Sequence, residues 1–139
     1  MMMDNGVSGF GGPENDNSNG TEGVDMPYIC ANLTRKVTSE KKEALKAEIA
    51  GILGIIPGKS EQALMVDIVD GKTIYFGGDL QENCAYVDVR LYGQVERDIK
   101  AEFTRAMFGV FHRVLDVAED KMFLSLLEYD TWGTKGNLK

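Results

Sequence analysis

Two stretches of this chain switch hydrophobic period from strand-like to helix-like and back again, and that repetition sharply restricts the folds open to it. Residues 83–92 alternate, with Ala85, Val87, Val89 and Leu91 facing one way and Tyr86, Asp88 and Arg90 the other, as in a strand with one buried face. Gly93 ends the run. Residues 96–115 then place Ile99, Phe103, Met107, Val110, Phe111 and Val114 on one helical stripe, and 121–128 return to a strand. The first half has the same order. Residues 27–33 read as a strand and 34–38 as a polar loop. Ser39 is placed as an N-cap, with Glu40 in the first turn and Leu45, Ile49, Ile52 and Leu53 at helical spacing. Gly54 is expected to end that helix, Pro57-Gly58 forms a loop, and 64–69 is a strand with Leu64, Val66 and Ile68 on one face.

Between the halves, Asp70-Gly71 is the strongest hairpin signal in the chain. It leads into a short strand over 73–76 that Gly77-Gly78 break. A strand, a helix and a following strand of one sheet make a parallel pair. The expectation is therefore an α+β fold, with two pseudo-repeated β-α-β units forming a mixed sheet and two helices on one of its faces. The other face then lacks a cover, and Ile29, Val87 and Leu126 are poor residues to leave in water. Self-association is the simplest remedy.

Residues 1–26 are of another kind. They hold six Gly and four Asn, and besides the methionines only Val7, Phe10 and Val24 are sizeable apolar residues. Such a segment cannot bury enough surface to offset its ordering entropy, so it is expected to be disordered, with residues 27–139 forming one domain. It has neither the basic start nor the apolar stretch of a secretory signal, and no later segment has the length of a membrane span. The extension carries five acidic residues and no Lys or Arg. Residues 27–139 hold 17 acidic against 15 basic residues, a balance that argues against a nucleic-acid surface. Cys30 and Cys84 make neither a disulfide framework nor a metal set, which points to a reducing cytoplasm. Read alone, both are small buried residues, and His112 is a surface or satisfied core histidine.

A set of short motifs carries a resemblance. Met26-Pro27 opens the first strand. Pro57-Gly58-Lys59 follows the first helix, Tyr75-Phe76-Gly77-Gly78 and Asn83-Cys84-Ala85-Tyr86-Val87 come next, Tyr92-Gly93 precedes the second helix, and Trp132-Gly133 stands near the end. In order and spacing the chain resembles the tautomerase superfamily, in its macrophage migration inhibitory factor branch, and especially the bacterial phenylpyruvate tautomerase-like proteins. The resemblance covers 27–139 and none of the extension. It implies a homotrimer whose sheets form an inner barrel, with sites between subunits. It also implies a cofactor-free keto–enol tautomerase of small α-keto acids, whose general base is an amino-terminal proline. On that pattern Pro27 is the base, Lys59 holds the substrate carboxylate and helps depress the proline pKa, and the Tyr92 backbone N–H bonds a substrate oxygen. No metal, nucleic acid or membrane enters.

Several positions depart from the pattern of the animal proteins. Phe123 stands where they have a tyrosine from a neighbouring subunit, Ser125 where they have an asparagine, and Ala63 where they have a second pocket tyrosine. The Cys-x-x-Cys tied to redox activity is absent, since Cys84-Ala85-Tyr86-Val87 ends in valine. Substrate preference is expected to differ accordingly.

The chemistry turns on where the mature chain begins. A free Pro27 nitrogen is a secondary amine; within a longer chain it is an amide without useful basicity. Initiation at Met26 is the favoured explanation of residues 1–26, because Glu22-Gly23-Val24 can be encoded by a purine-rich ribosome-binding sequence a short spacer upstream. A cleaved propeptide, a cloning remnant and a retained extension are the alternatives. The last would make the protein a non-catalytic, cytokine-like binding protein with Pro27 internal.

Overall fold

The computed structural model describes residues 26–58 and 61–139. The expectation for the extension, Met26 apart, therefore lies outside the described residues, as does Lys59. The elements are β1 (Tyr28–Leu33), α1 (Ser39–Ile52), β2 (Met65–Val69), β3 (Tyr75–Phe76), β4 (Asp79–Leu80), β5 (Ala85–Tyr92), α2 (Arg97–Leu115), β6 (Met122–Tyr129), β7 (Gly133–Thr134) and β8 (Asn137–Leu138). Four of them form one sheet in the order β2-β1-β5-β6. β1 runs parallel to β2 and β5 parallel to β6, as helix crossovers require. The two β-α-β units meet along the antiparallel β1/β5 pair, where Tyr28 faces Arg90 and Leu33 faces Ala85.

Alternation decides which face the helices cover. Ile29, Ala31 and Leu33 of β1 and Ala85, Val87, Val89 and Leu91 of β5 are buried in one cluster with Leu45 and Ile49 of α1 and Phe103, Met107, Val110 and Phe111 of α2. Val66 and Ile68 of β2 and Leu124 and Leu126 of β6 flank it, half-buried. Ile29, Val87 and Leu126 thus lie under the helices and do not need a second cover. The face left open carries Tyr28, Asn32, Asp67, Asp88, Arg90 and Ser125, interspersed with Met65, Phe123 and Leu127. Three apolar side chains on this face, Met65, Phe123 and Leu127, are 64%, 63% and 54% exposed.

Local chemistry shifts some boundaries. Thr38, not Ser39, caps α1: it is extended and its hydroxyl accepts the Lys41 N–H at 3.1 Å. Helical hydrogen bonding stops at Ile52, and Leu53–Ile55 tightens into a 3₁₀ turn that contains Gly54. Beyond α2, Asp116 takes a left-handed conformation and donates its amide to the His112 and Phe111 carbonyls.

The Asp70-Gly71 hairpin does not form. The Asp70 carboxylate instead accepts the Val37 N–H at 2.9 Å, and the Lys72 N–H bonds the Leu33 carbonyl at 2.9 Å. This loop is tied to the β1–α1 connection and cannot fold back on β2. The hairpin lies one turn later, where β3 pairs with β4 across Gly77-Gly78, both at positive φ (62° and 89°). A second small hairpin, β7/β8, turns at Lys135-Gly136 and is closed by a 2.7 Å bond from the Lys139 N–H to the Trp132 carbonyl.

Candidate active site

Pro27 is buried at the entry to β1, an inner strand of the sheet. Its carbonyl accepts the Met65 N–H at 3.0 Å. In a strand, the nitrogen and carbonyl of one residue point to the same side. The Pro27 nitrogen is therefore directed toward β2, where the chain returns from the loop that contains Lys59. On the other side of β1 stands the end of β5. The Gly93 N–H bonds the Tyr129 carbonyl at 2.8 Å, toward β6. Successive N–H groups alternate, so the Tyr92 N–H points toward β1 and the Pro27 end. The structure thus brings Pro27 and the Tyr92 backbone to one end of the sheet.

Aromatic rings enclose that end. The Trp132 ring lies 6.4 Å from Tyr92 and meets Tyr129 edge-on at 5.6 Å. A concavity of about 260 Å³ beside them is lined by Gly93, Gln94, Glu128, Tyr129 and Asp130. Glu128 is committed elsewhere, to the Val95 N–H at 2.6 Å and to Lys100 at 3.0 Å. A larger groove of about 640 Å³ runs between α2 and β6, over Leu124 and Leu126, but none of the expected site residues lines it.

Phe123 and Ser125 are exposed on the open face of β6. In register they lie opposite Tyr86 and Asp88, and these opposite Asn32 and Cys30. Strand spacing places Ser125 about 14 Å and Phe123 about 19 Å from Pro27 of the same chain. One chain therefore does not bring these two together with Pro27. Ala63 is exposed in the 3₁₀ turn over Glu61–Ala63, before β2.

The open face holds a polar network that the sequence motifs do not include. The Tyr28 phenol donates to Asp67 at 2.8 Å, and this bond to a carboxylate, with desolvation second, raises the Tyr28 pKa well above its usual value. Arg90 pairs with Asp88 at 2.9 Å and stacks over the Tyr28 ring at 5.9 Å; the Asp88 hydrogen bond raises its pKa further. Cys30 lies between these groups. Burial is the largest cause of its raised pKa, which disfavours the thiolate. Cys84 is likewise buried and raised. Both cysteines are free and buried, as expected. His112 is exposed, its Nδ1 3.4 Å from the Val117 carbonyl. Next to the Asp88–Arg90 pair, the Tyr86 hydroxyl and Ser125 Oγ are hydrogen-bonded. Aligning the alternating runs of β5 and β6 could have found this pair, since both residues fall on the outward phase.

Among the described residues, no group of three or more His, Cys, Asp or Glu could hold a metal ion, and no helix is long and apolar enough to cross a membrane.

Among curated protein sequences no match is found. Solved structures, however, match the fold. Leishmania major MIF2 superposes with a TM-score of 0.77 at 20% identity, over 84% of this chain and 100% of that one. The macrophage migration inhibitory factor-like protein of Entamoeba histolytica gives 0.70 at 18%, over 82% and 99%. Pt0534 inactivated by 2-oxo-3-pentynoate gives 0.71 at 15%, over 78% and 92%. The macrophage migration inhibitory factor family model matches residues 26–137, nearly the whole β-α-β pseudo-repeat and its closing hairpin, and begins one residue before Pro27. This chain belongs to the macrophage migration inhibitory factor family, within the tautomerase superfamily.

Proposed function

We propose that this protein is a cofactor-free keto–enol tautomerase of α-keto acids such as phenylpyruvate, acting through the Pro27 amine once residues 1–26 are absent. The observation that carries the reading is the placement of Pro27. It leads into an inner strand, buried, with its nitrogen on the β2 side and the Tyr92 N–H directed toward its end of β1 from the next strand. A secondary amine in water is mostly protonated at neutral pH. An apolar pocket and a neighbouring Lys⁺ both disfavour its charged form and bring its pKa toward the operating pH. The free amine takes a proton from the carbon next to the substrate carbonyl, leaving an enolate, and delivers it to the enolate oxygen, which gives the enol and restores the free amine. Lys59 holds the carboxylate, and the Tyr92 N–H stabilises charge on oxygen. Pt0534, a structural neighbour, is inactivated by a compound that is itself a 2-oxo acid, which supports the substrate class.

Phe123 and Ser125 belong to this site only through a second chain, because within one chain they stand too far from Pro27. A homotrimer that turns the open sheet faces inward as a barrel would bring one subunit's β6, with Phe123, to the next subunit's Pro27, and would cover Met65 and Leu127. The cell compartment proposed is the cytoplasm, on the grounds of the two free, buried cysteines.

One observation favours a second reading, a non-catalytic binding protein of the same fold: in the 139-residue chain the Pro27 nitrogen is an amide. Mass spectrometry of the protein from its native cell separates the two. An amino terminus at Pro27 supports the enzyme, and one at Met1 supports the binding protein.

A further inference from the structure

The residues that depart from the family pattern on β6 have an unassigned neighbour. Phe123 brings no hydroxyl and Ser125 only a short one, but Tyr86 lies beside both on β5. It pairs in register with Phe123, is 40% exposed on the same face, and hydrogen-bonds Ser125 Oγ through its phenol. Its backbone is held in place from β1: Asn32 Nδ2 donates to the Tyr86 carbonyl at 3.1 Å, and Lys72 Nζ donates to Asn32 Oδ1 at 2.8 Å. An apolar wall completes the patch, because the Phe123 ring packs against Phe76 with centroids 5.0 Å apart.

Proton counting shows what this pair can do. Two hydroxyls carry two protons, and their mutual bond uses one. Whichever residue donates internally, one O–H remains to donate outward, polarised by the bond behind it. A single donor beside an exposed aromatic ring suits a molecule that carries an aryl group and, one or two carbons away, an oxygen acceptor.

We propose that Tyr86 is a substrate-facing residue: with Ser125 it presents one hydroxyl donor to the keto or enol oxygen of an aryl-substituted α-keto acid whose ring packs on Phe123. The assignment rests on the tautomerase reading for its ligand class, but not on the Pro27 amine. It makes the hydroxyl missing at position 123 available from the adjacent strand, so Phe123 narrows ring preference without removing oxygen recognition.

Calorimetric binding to the full 139-residue chain tests this, with phenylpyruvate and 3-phenylpropanoate as the probes. The two acids share a skeleton and differ in the keto oxygen. The wild-type chain is expected to prefer phenylpyruvate about tenfold, the worth of one hydrogen bond. Tyr86→Phe removes one oxygen atom at a partly exposed site. It is expected to abolish the preference while leaving 3-phenylpropanoate affinity unchanged. Ser125→Ala keeps the Tyr86 O–H but removes the bond that polarises it, so it is expected to weaken the preference without abolishing it, and the double variant to lose no more than Tyr86→Phe alone, as for a coupled pair. A preference retained in Tyr86→Phe, an equal loss for both acids, strictly additive single variants, or no binding of either acid to wild type would each overturn the assignment. Turnover by a chain beginning at Pro27 is a separate readout. Its absence alongside an intact, Tyr86-dependent preference refutes the amine and leaves this assignment standing.

Discussion

The Pro27 carbonyl accepts the Met65 amide proton at 3.0 Å, and this one bond sets the direction of the proline ring. It fixes the residue that leads into an inner strand against β2, so its nitrogen faces the β2 side. In a chain that begins at Pro27, the Pro27→Gly substitution replaces the rigid secondary amine by a mobile primary one. Phenylpyruvate turnover is expected to fall at least about a hundredfold, the range of general-base contributions, with the thermal melt little changed.

On the proposed reading, Lys59 holds the substrate carboxylate. Lys59→Ala in the same chain is expected to raise KM for phenylpyruvate about tenfold, for one lost charge-assisted contact. Steady-state kinetics with phenylacetone, the ketone without the carboxylate, supply the control: its KM should not move. An equal rise in KM for both substrates would place Lys59 elsewhere.

Asp70 anchors the β1–α1 connection. Its bond from the Val37 N–H is the largest cause of a pKa held below the ordinary carboxylate value of 3.8, with Lys42 adding to it. A group whose folded-state pKa is depressed contributes stability that is present above the unfolded pKa and lost as pH falls through the folded one. Asp70→Asn should therefore lower Tm at neutral pH and narrow its gap from wild type below about pH 4. Melting curves across that range check the sign; a constant gap would deny the linkage.

Phe103 is fully buried between α2 and the sheet, in contact with the cluster that joins both pseudo-repeats. Phe103→Ala leaves a cavity at that junction and is expected to cost about 3–5 kcal/mol in urea unfolding.

The main sheet and both helices were legible because their periodicity and the crossover rules are properties of the backbone. β5 shows this most clearly: each of its residues faces the side its alternation indicates. Asp70-Gly71 shows where local signals fail. A favourable turn dipeptide was overruled by a carboxylate that found a backbone donor 33 residues earlier, a tertiary contact that no local window contains. The uncovered face was anticipated, but its residues were not, because Ile29, Val87 and Leu126 belong to the opposite phase. Pro27 and Tyr92 could be placed together from resemblance and strand order. Tyr86 was missed because no single motif contains its partner: Ser125 becomes a neighbour only when the outward phases of β5 and β6 are aligned in register.

The state of one nitrogen is the centre of the account, and the rate of phenylpyruvate tautomerisation in two chains measures it most directly. One chain begins at Pro27; the other retains residues 1–26, verified intact by mass spectrometry after the assay. The account predicts turnover by the first and background by the second. Full activity in the intact longer chain, where the Pro27 nitrogen is an amide, would contradict it.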